Sequence, residues 1–245
     1  MIEVSLWRLA LLLIPLVMVG WVSFRWVGKS GELVVATGRM VVQLLLVGYV
    51  LMWLFQVDGP WVTLGVVGFM ILVSSWIAVR TVKSMKGKAF VDAVMAILIG
   101  GGSVFTLVLF GVLGLDPWYE PRYAIPLAGM IFANAMTAVT LSAERFDAER
   151  EGGKDVLGAR NSAWNAALIP QVNSFLAVGL VSIPGMMTGQ IIAGAEPHHA
   201  AHYQIMVMGM IFGSAGLAVA IFLSRMVRDA EGKATLRKRM GFGAD

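Results

Sequence analysis

Cysteine is absent from the 245 residues, so neither disulfides nor thiolate metal sites contribute. Charge is scarce too: only 14% of residues are Asp, Glu, Lys or Arg against 58% hydrophobic ones, and the mean hydropathy is +0.78. Soluble domains do not have this balance, and the chain reads as a polytopic membrane protein. Histidine is confined to His198, His199 and His202. No pair of carboxylates lies within an apolar run, which argues against an intramembrane aspartyl protease and a classical proton relay. A complete phosphate-binding loop is also missing. Gly28-Lys29-Ser30 has the form of its end, but Ser23 stands where the pattern needs Gly, and an apolar run replaces the preceding strand. The chain itself is therefore expected to hydrolyse no nucleotide and to be no enzyme.

Runs of about twenty mostly apolar residues are what cross a bilayer as helices. Residues 6–24, 34–55, 61–79, 90–115, 124–141, 168–194 and 205–224 meet that description. An all-α bundle of about seven transmembrane helices follows, organised as one permease-like membrane domain over residues 1–224 and a basic tail over 225–245. Lys and Arg collect after the first, third, fifth and last runs, which together hold 16 of the 19. The positive-inside rule then predicts the N-terminus outside and the C-terminus in the cytoplasm. It also accounts for the net charge of +4 through anionic headgroups, with no nucleic acid needed. The first run follows Glu3 and precedes Arg25 and Lys29, so it is expected to remain as a span rather than be cleaved as a signal peptide.

The most informative stretch is 166–194, AALIPQVNSFLAVGLVSIPGMMTGQIIAG. It is apolar enough to cross, yet carries Asn173, Ser174, Ser182, Pro184, Thr188 and Gln190. In hydrocarbon such groups must find partners inside the protein, so this crossing is expected to be interrupted and to lie in a bundle or beside a wet cavity. Polar groups at that depth mark pathways. Arg39 and Gln43 share a face of the second run, where Arg39 can also snorkel. Asn134, with Pro126 and Gly129, offers an amide to a pathway or an interhelical hydrogen bond. Gly100-Gly101-Gly102 fits close helix packing. Met186 and Met187 are possible soft ligands, though in a chain with 16 Met filling is the simpler role. His198 and His202 share a helix face as metal ligands can, with Glu196 nearby; an outward loop rich in His is the plainer reading.

Several blocks resemble one family. Residues 43–51 (QLLLVGYVL), 125–131 (IPLAGMI) with Asn134-Ala135-Met136, 167–170 (ALIP), Asn173-Ser174, 178–190 (VGLVSIPGMMTGQ) and Tyr203-Gln204-Ile205 are similar to the FetB-type permeases of ABC iron exporters, in that family's order. The resemblance implies a membrane subunit of the bacterial inner membrane that dimerises, docks a separate FetA-like ABC ATPase carrying the ATP, and exports iron or another metal ion. Plant relatives are linked to aluminium tolerance. For an exporter of this kind the expected pathway contacts are Asn173, Ser174, Ser182 and Gln190 of the interrupted crossing, with Asn134 and Gln43 facing them from neighbouring spans, all oxygen donors that could briefly hold an ion. The implied ATPase-coupling segment lies in the polar stretch 144–164, at Glu151, Leu157, Gly158, Ala159 and Arg160, with Gly158 letting the chain turn. Between its Leu-Gly-Ala and Ala-Leu-Ile-Pro elements this chain is shorter than the family pattern by about two helical turns. The competing reading is a nucleotide-independent carrier or a scaffold or stability factor; the only acid near a span, Asp92, stands at a cytoplasmic end.

Overall fold

The computed structural model describes residues 5–28, 31–57, 59–80 and 86–239. Glu3, Lys29, Ser30 and Lys83 of the sequence reading lie outside these, as do tail residues 240–245. No strand occurs among the described residues. The chain divides into two compact units between Val57 and Asp58.

The first unit holds α1 (Trp7–Val27) and α2 (Gly31–Leu54). Gly28 stops α1: its φ of +71° is cheap only for glycine, and its N–H returns to Phe24 O at 3.0 Å. Apolar side chains cover most of both helices rather than one stripe, and Leu54 is the one buried side chain among the described residues of this unit. That pattern is the signature of a membrane helix rather than of a soluble one with a single apolar stripe.

The second unit contains α3 (Pro60–Ala78), α4 (Gly87–Val112), α5 (Pro121–Glu151), α6 (Val156–Ala177), α7 (Gly185–Ile192) and α8 (Pro197–Arg239). Prolines open α3, α5 and α8, where the missing N–H has no helical partner anyway. Helices α5 and α8 form the centre, with α3, α4 and α6 packed around them. Alanine dominates the seams: Ala93, Ala96, Ala128, Ala135, Ala163 and Ala218 are wholly buried. Small side chains let helix axes approach when lipid supplies no hydrophobic driving force between helices.

Helix α4 lies antiparallel against α8 in one register. Asp92 faces Arg225, Gly100 faces Ala218 and Gly213 faces Val104. Within α4 the turns at Ile97–Gly101 and Leu107–Val112 widen to π geometry, and Gly100 sits on the first of them. At one end of this seam are two ion pairs of opposite sense, Lys88 to Asp229 and Asp92 to Arg225, each 2.5 Å long. The cation-rich start of α4 and the cation-rich end of α8 therefore lie on the same side, as the charge pattern requires.

Among the described residues six helices, α1 to α5 and α8, are long and apolar enough to cross a membrane. The protein is a multi-pass, all-α membrane protein. The seventh predicted crossing, 168–194, is not a continuous rod. It consists of the end of α6, a turn over residues 178–184, and the short α7. The polar stretch 144–164 also differs from a loop: α5 runs to Glu151 and α6 begins at Val156, leaving four connecting residues.

Candidate functional site at the interrupted crossing

The break begins where Val178 turns extended (ψ 131°) and Gly179 takes φ +79°. The Ala177 carbonyl accepts from the N–H groups of Leu180 (3.2 Å), Val181 (2.8 Å) and Ser182 (3.1 Å), and Gly179 N–H donates to Ser182 O at 2.9 Å. The turn thus satisfies much of its own backbone, a condition for irregular chain at membrane depth. Pro184 then starts α7, its carbonyl accepting from the Thr188 N–H at 3.0 Å and the Thr188 hydroxyl at 3.2 Å. Leu180 and Val181 at the tip are 88% and 85% exposed, so the tip presents apolar side chains outward.

Two clefts follow the groove between α6 and α8. The larger, about 730 Å³, is walled by Val178, Ile183, Pro184 and Met187 from the break and α7, and by Ala201 and Gln204 from α8. The smaller, about 250 Å³, is lined by Asn134 of α5, by Gln171 and Ser174 of α6, and by Ile211 of α8. Phe175 and Met208 line both, so these two side chains form the partition between them. Phe175 is backed by the Phe212 ring at 5.1 Å.

Gln204 is only 6% exposed and its Oε1 has no protein partner; Gln190 Oε1 is likewise buried and unpartnered. A buried carboxamide oxygen without a donor costs about 1–3 kcal/mol, and such an orphan calls for a water, an ion or a ligand. Gln204 is one of the residues that wall the larger cleft.

The predicted pathway residues separate accordingly. Asn134 and Ser174 come together in the smaller cleft, where the Asn134 amide donates to Met130 O at 2.8 Å and leaves its own oxygen available. Gln190 stands beside the break with its unpartnered oxygen. Asn173 and Ser182 are exposed and line neither cleft. Gln43 is exposed on α2 of the first unit. Two buried polar residues, Gln171 and Gln204, were not singled out by the sequence. Gln204 lies one residue before the last predicted span; Gln171 falls on the same helix face as Ser174 and Phe175, a spacing that could have exposed it.

The hairpin joining α5 and α6 holds the predicted coupling residues. The chain reverses at Gly152-Gly153, with φ +85° at Gly153, and not at Gly158, which lies in the first turn of α6. There Gly158 N–H donates to the capping carboxylate of Asp155 at 3.3 Å. A Cβ on Gly158 would come within 2.5 Å of that carboxylate as it is placed, so a larger residue there would need the Asp155 side chain to shift. Leu157 is 48% exposed while Ala159 is wholly buried; Arg160 bonds Asn161, and Glu151 ends α5 on the surface. Glu149 pairs with Lys154 (3.0 Å) and Arg145 (2.5 Å), and Lys154 also reaches Ser162 Oγ at 2.9 Å. The hydrogen bond from Lys154, with the charge of Arg145 beside it, holds the Glu149 carboxyl below its ordinary range. This network clamps the two helices into one rigid corner.

Comparison with known proteins gives the family. The uncharacterised protein family UPF0014 matches residues 5–230. A UPF0014 membrane protein of Synechocystis is 34% identical over 84% of this chain and 84% of its own. The probable iron export permease protein FetB of Escherichia coli is 39% identical, covering 76% of each. The protein ALUMINUM SENSITIVE 3 of Arabidopsis thaliana is 34% identical over 76% of this chain and 72% of its own. No solved structure matches the chain.

Proposed function

This chain belongs to the UPF0014 family of membrane proteins, and from that premise we propose that it is the transmembrane permease subunit of an ATP-driven metal-ion exporter. Iron is the first candidate cargo, by similarity to FetB. ATP is bound and hydrolysed on a separate FetA-like subunit docked at the cytoplasmic α5–α6 corner, and two permease copies pair in the bacterial inner membrane. The observation that carries this reading is the broken crossing, with a cleft walled in part by Gln204, whose buried oxygen has no protein partner.

An ion leaving water needs replacement oxygens, yet it must not be held so firmly that it stays. Neutral carboxamides and hydroxyls suit that need better than carboxylates. Gln204 and Gln190 serve one side of the Phe175–Met208 partition, while Asn134, Gln171 and Ser174 serve the other. Helix α6 is continuous from Val156 to Ala177, so it acts as a lever about 30 Å long between the corner and the partition. A tilt imposed at Leu157 and Arg160, with Glu151 across the turn and the buried Ala159 carrying it into the bundle, shifts Phe175 relative to Met208. That motion opens one cleft while closing the other. The Glu149–Lys154–Arg145 clamp makes the corner move as a body.

The test is reconstitution in liposomes with a candidate ABC ATPase subunit, scoring ATP hydrolysis and metal flux with Fe(II), Fe(III) and Al(III). Metal-stimulated hydrolysis is expected. No association with that ATPase in detergent or lipid would overturn the reading in favour of a nucleotide-independent carrier or scaffold. Gln204→Leu and Gln190→Leu should each cut flux by about tenfold or more, since a dehydrated cation loses an oxygen it cannot replace. Asn173→Leu distinguishes the route: unchanged flux places it through the clefts, and lost flux places it between two copies.

A further inference from the structure

The three histidines are not scattered in a loop. They lie in the first turns of α8, which Pro197 opens. His198 Nδ1 is 3.4 Å from Glu196 Oε2, His199 Nδ1 is 3.9 Å from the same oxygen, and the two imidazole rings are 4.0 Å apart. One donor atom from each of the three groups falls within 4.8 Å of the other two. Ligands at 2.0–2.1 Å from a tetrahedral ion stand about 3.4 Å from one another. The observed separations are thus near what a single ion needs, reachable by side-chain rotation alone because all three groups are exposed.

The placement adds to the geometry. Ala201, Ile205 and Met208 line the larger cleft from one face of α8, and stepping back three residues from Ala201 along that face reaches His198. His198 therefore stands at the end of the cleft-lining row, with Glu196 and His199 beside it. We propose that Glu196, His198 and His199 bind a first-row divalent transition-metal ion at that end. Two imidazole nitrogens and one carboxylate oxygen suit borderline ions such as Fe(II), Co(II) and Zn(II), and suit hard trivalent ions such as Al(III) poorly. His202, with its ring 6.2 Å from that of His198, stands one turn further and completes no more than an outer contact. Binding depends on neither ATPase nor transport; only the site's use as the ion's stop beside the cleft rests on the exporter reading.

The experiment titrates Co(II) into untagged full-length protein in detergent, since a polyhistidine tag would dominate the signal. Visible absorption reports tetrahedral coordination, and calorimetry with Zn(II) gives stoichiometry. One equivalent per chain is expected. Glu196→Ala and His198→Ala should each weaken binding by about tenfold or more, because even groups that only orient a ligand cost that much. His198→Ala/His199→Ala should abolish it, with thermal unfolding unchanged because these side chains are exposed. No binding by the natural chain, or unchanged binding by the double variant, overturns the site. Displacement of Co(II) by equimolar Al(III) overturns the proposed ion class. Intact metal binding with no ATPase stimulation would leave this site standing and the exporter reading fallen.

Discussion

Gly100→Ala is expected to lower stability by about 3 kcal/mol, the upper part of the range for overpacking a filled core. A methyl group there would meet Ala218 N at 2.5 Å, Ala218 Cα at 2.8 Å and Leu217 C at 2.8 Å. These are backbone atoms of α8, so no rotamer change relieves the contact. Helices α4 and α8 must instead part by about 1 Å, and every contact along their seam loosens together. The neighbours supply the control. A methyl on Gly101 meets the Phe132 ring at 3.1 Å, a side chain that can yield, and one on Gly102 meets nothing within 4 Å. The order of damage should be Gly100, then Gly101, then Gly102, with Gly102→Ala neutral or slightly stabilising since alanine is the better helix former. Thermal unfolding followed by tryptophan fluorescence in micelles measures it, with a drop of roughly 6–12 °C expected for Gly100→Ala. Equal midpoints for Gly100→Ala and Gly102→Ala would refute the close approach.

The second large effect is asymmetric. Asp92 is 2% exposed and accepts the Arg225 Nε–H, whereas the Arg225 side chain is 42% exposed. Removing Arg225 strands a carboxylate in the core, and breaking a buried pair in that way costs about 3–5 kcal/mol. Removing Asp92 leaves a guanidinium with a route to water, so Asp92→Ala should cost clearly less, on the order of 1–2 kcal/mol. Arg225→Lys should recover part of the loss by restoring charge without the fixed geometry of the guanidinium. Lys88 and Asp229, one turn away on the same seam, are too exposed on the lysine side to substitute for the lost partner. Equilibrium unfolding of the three variants decides the matter, and equal costs for Arg225→Ala and Asp92→Ala would show that Asp92 is not the desolvated member. This pair also bears on function: Asp92, the fully buried acid among the described residues, is engaged in holding α4 to α8, not standing free as an ion-coupling group.

How much of this was legible beforehand depends on the distance over which each signal acts. The spans showed in the sequence because transfer of twenty apolar side chains into lipid is a local sum. The interruption near Pro184-Gly185 showed for a related reason: a proline with a glycine beside it weakens a helix locally, although Pro126 and Pro170 stand inside α5 and α6 without ending them. The reversal between α5 and α6 was misplaced at Gly158 when Gly152-Gly153 performs it, because Gly158 already lies in the first turn of α6, where its N–H meets the Asp155 cap. The triplet at 100–102 signalled close packing, but nothing in three identical residues says which one faces a neighbour.

By itself, the order of residues determined an all-helical membrane protein, its long crossings, the one that breaks, and a supply of neutral oxygen donors near that break. Only the tertiary structure decided that Gln204 and Gln171 are buried at the clefts while Asn173 and Ser182 are exposed, that Phe175 and Met208 divide one cleft from the other, and that Glu196 converges with His198 and His199. Hydropathy and turn chemistry act between near neighbours in the chain. Which faces meet is set by how closely helices far apart in sequence can approach, and here that was decided by a glycine on α4 and the buried alanines along its neighbours.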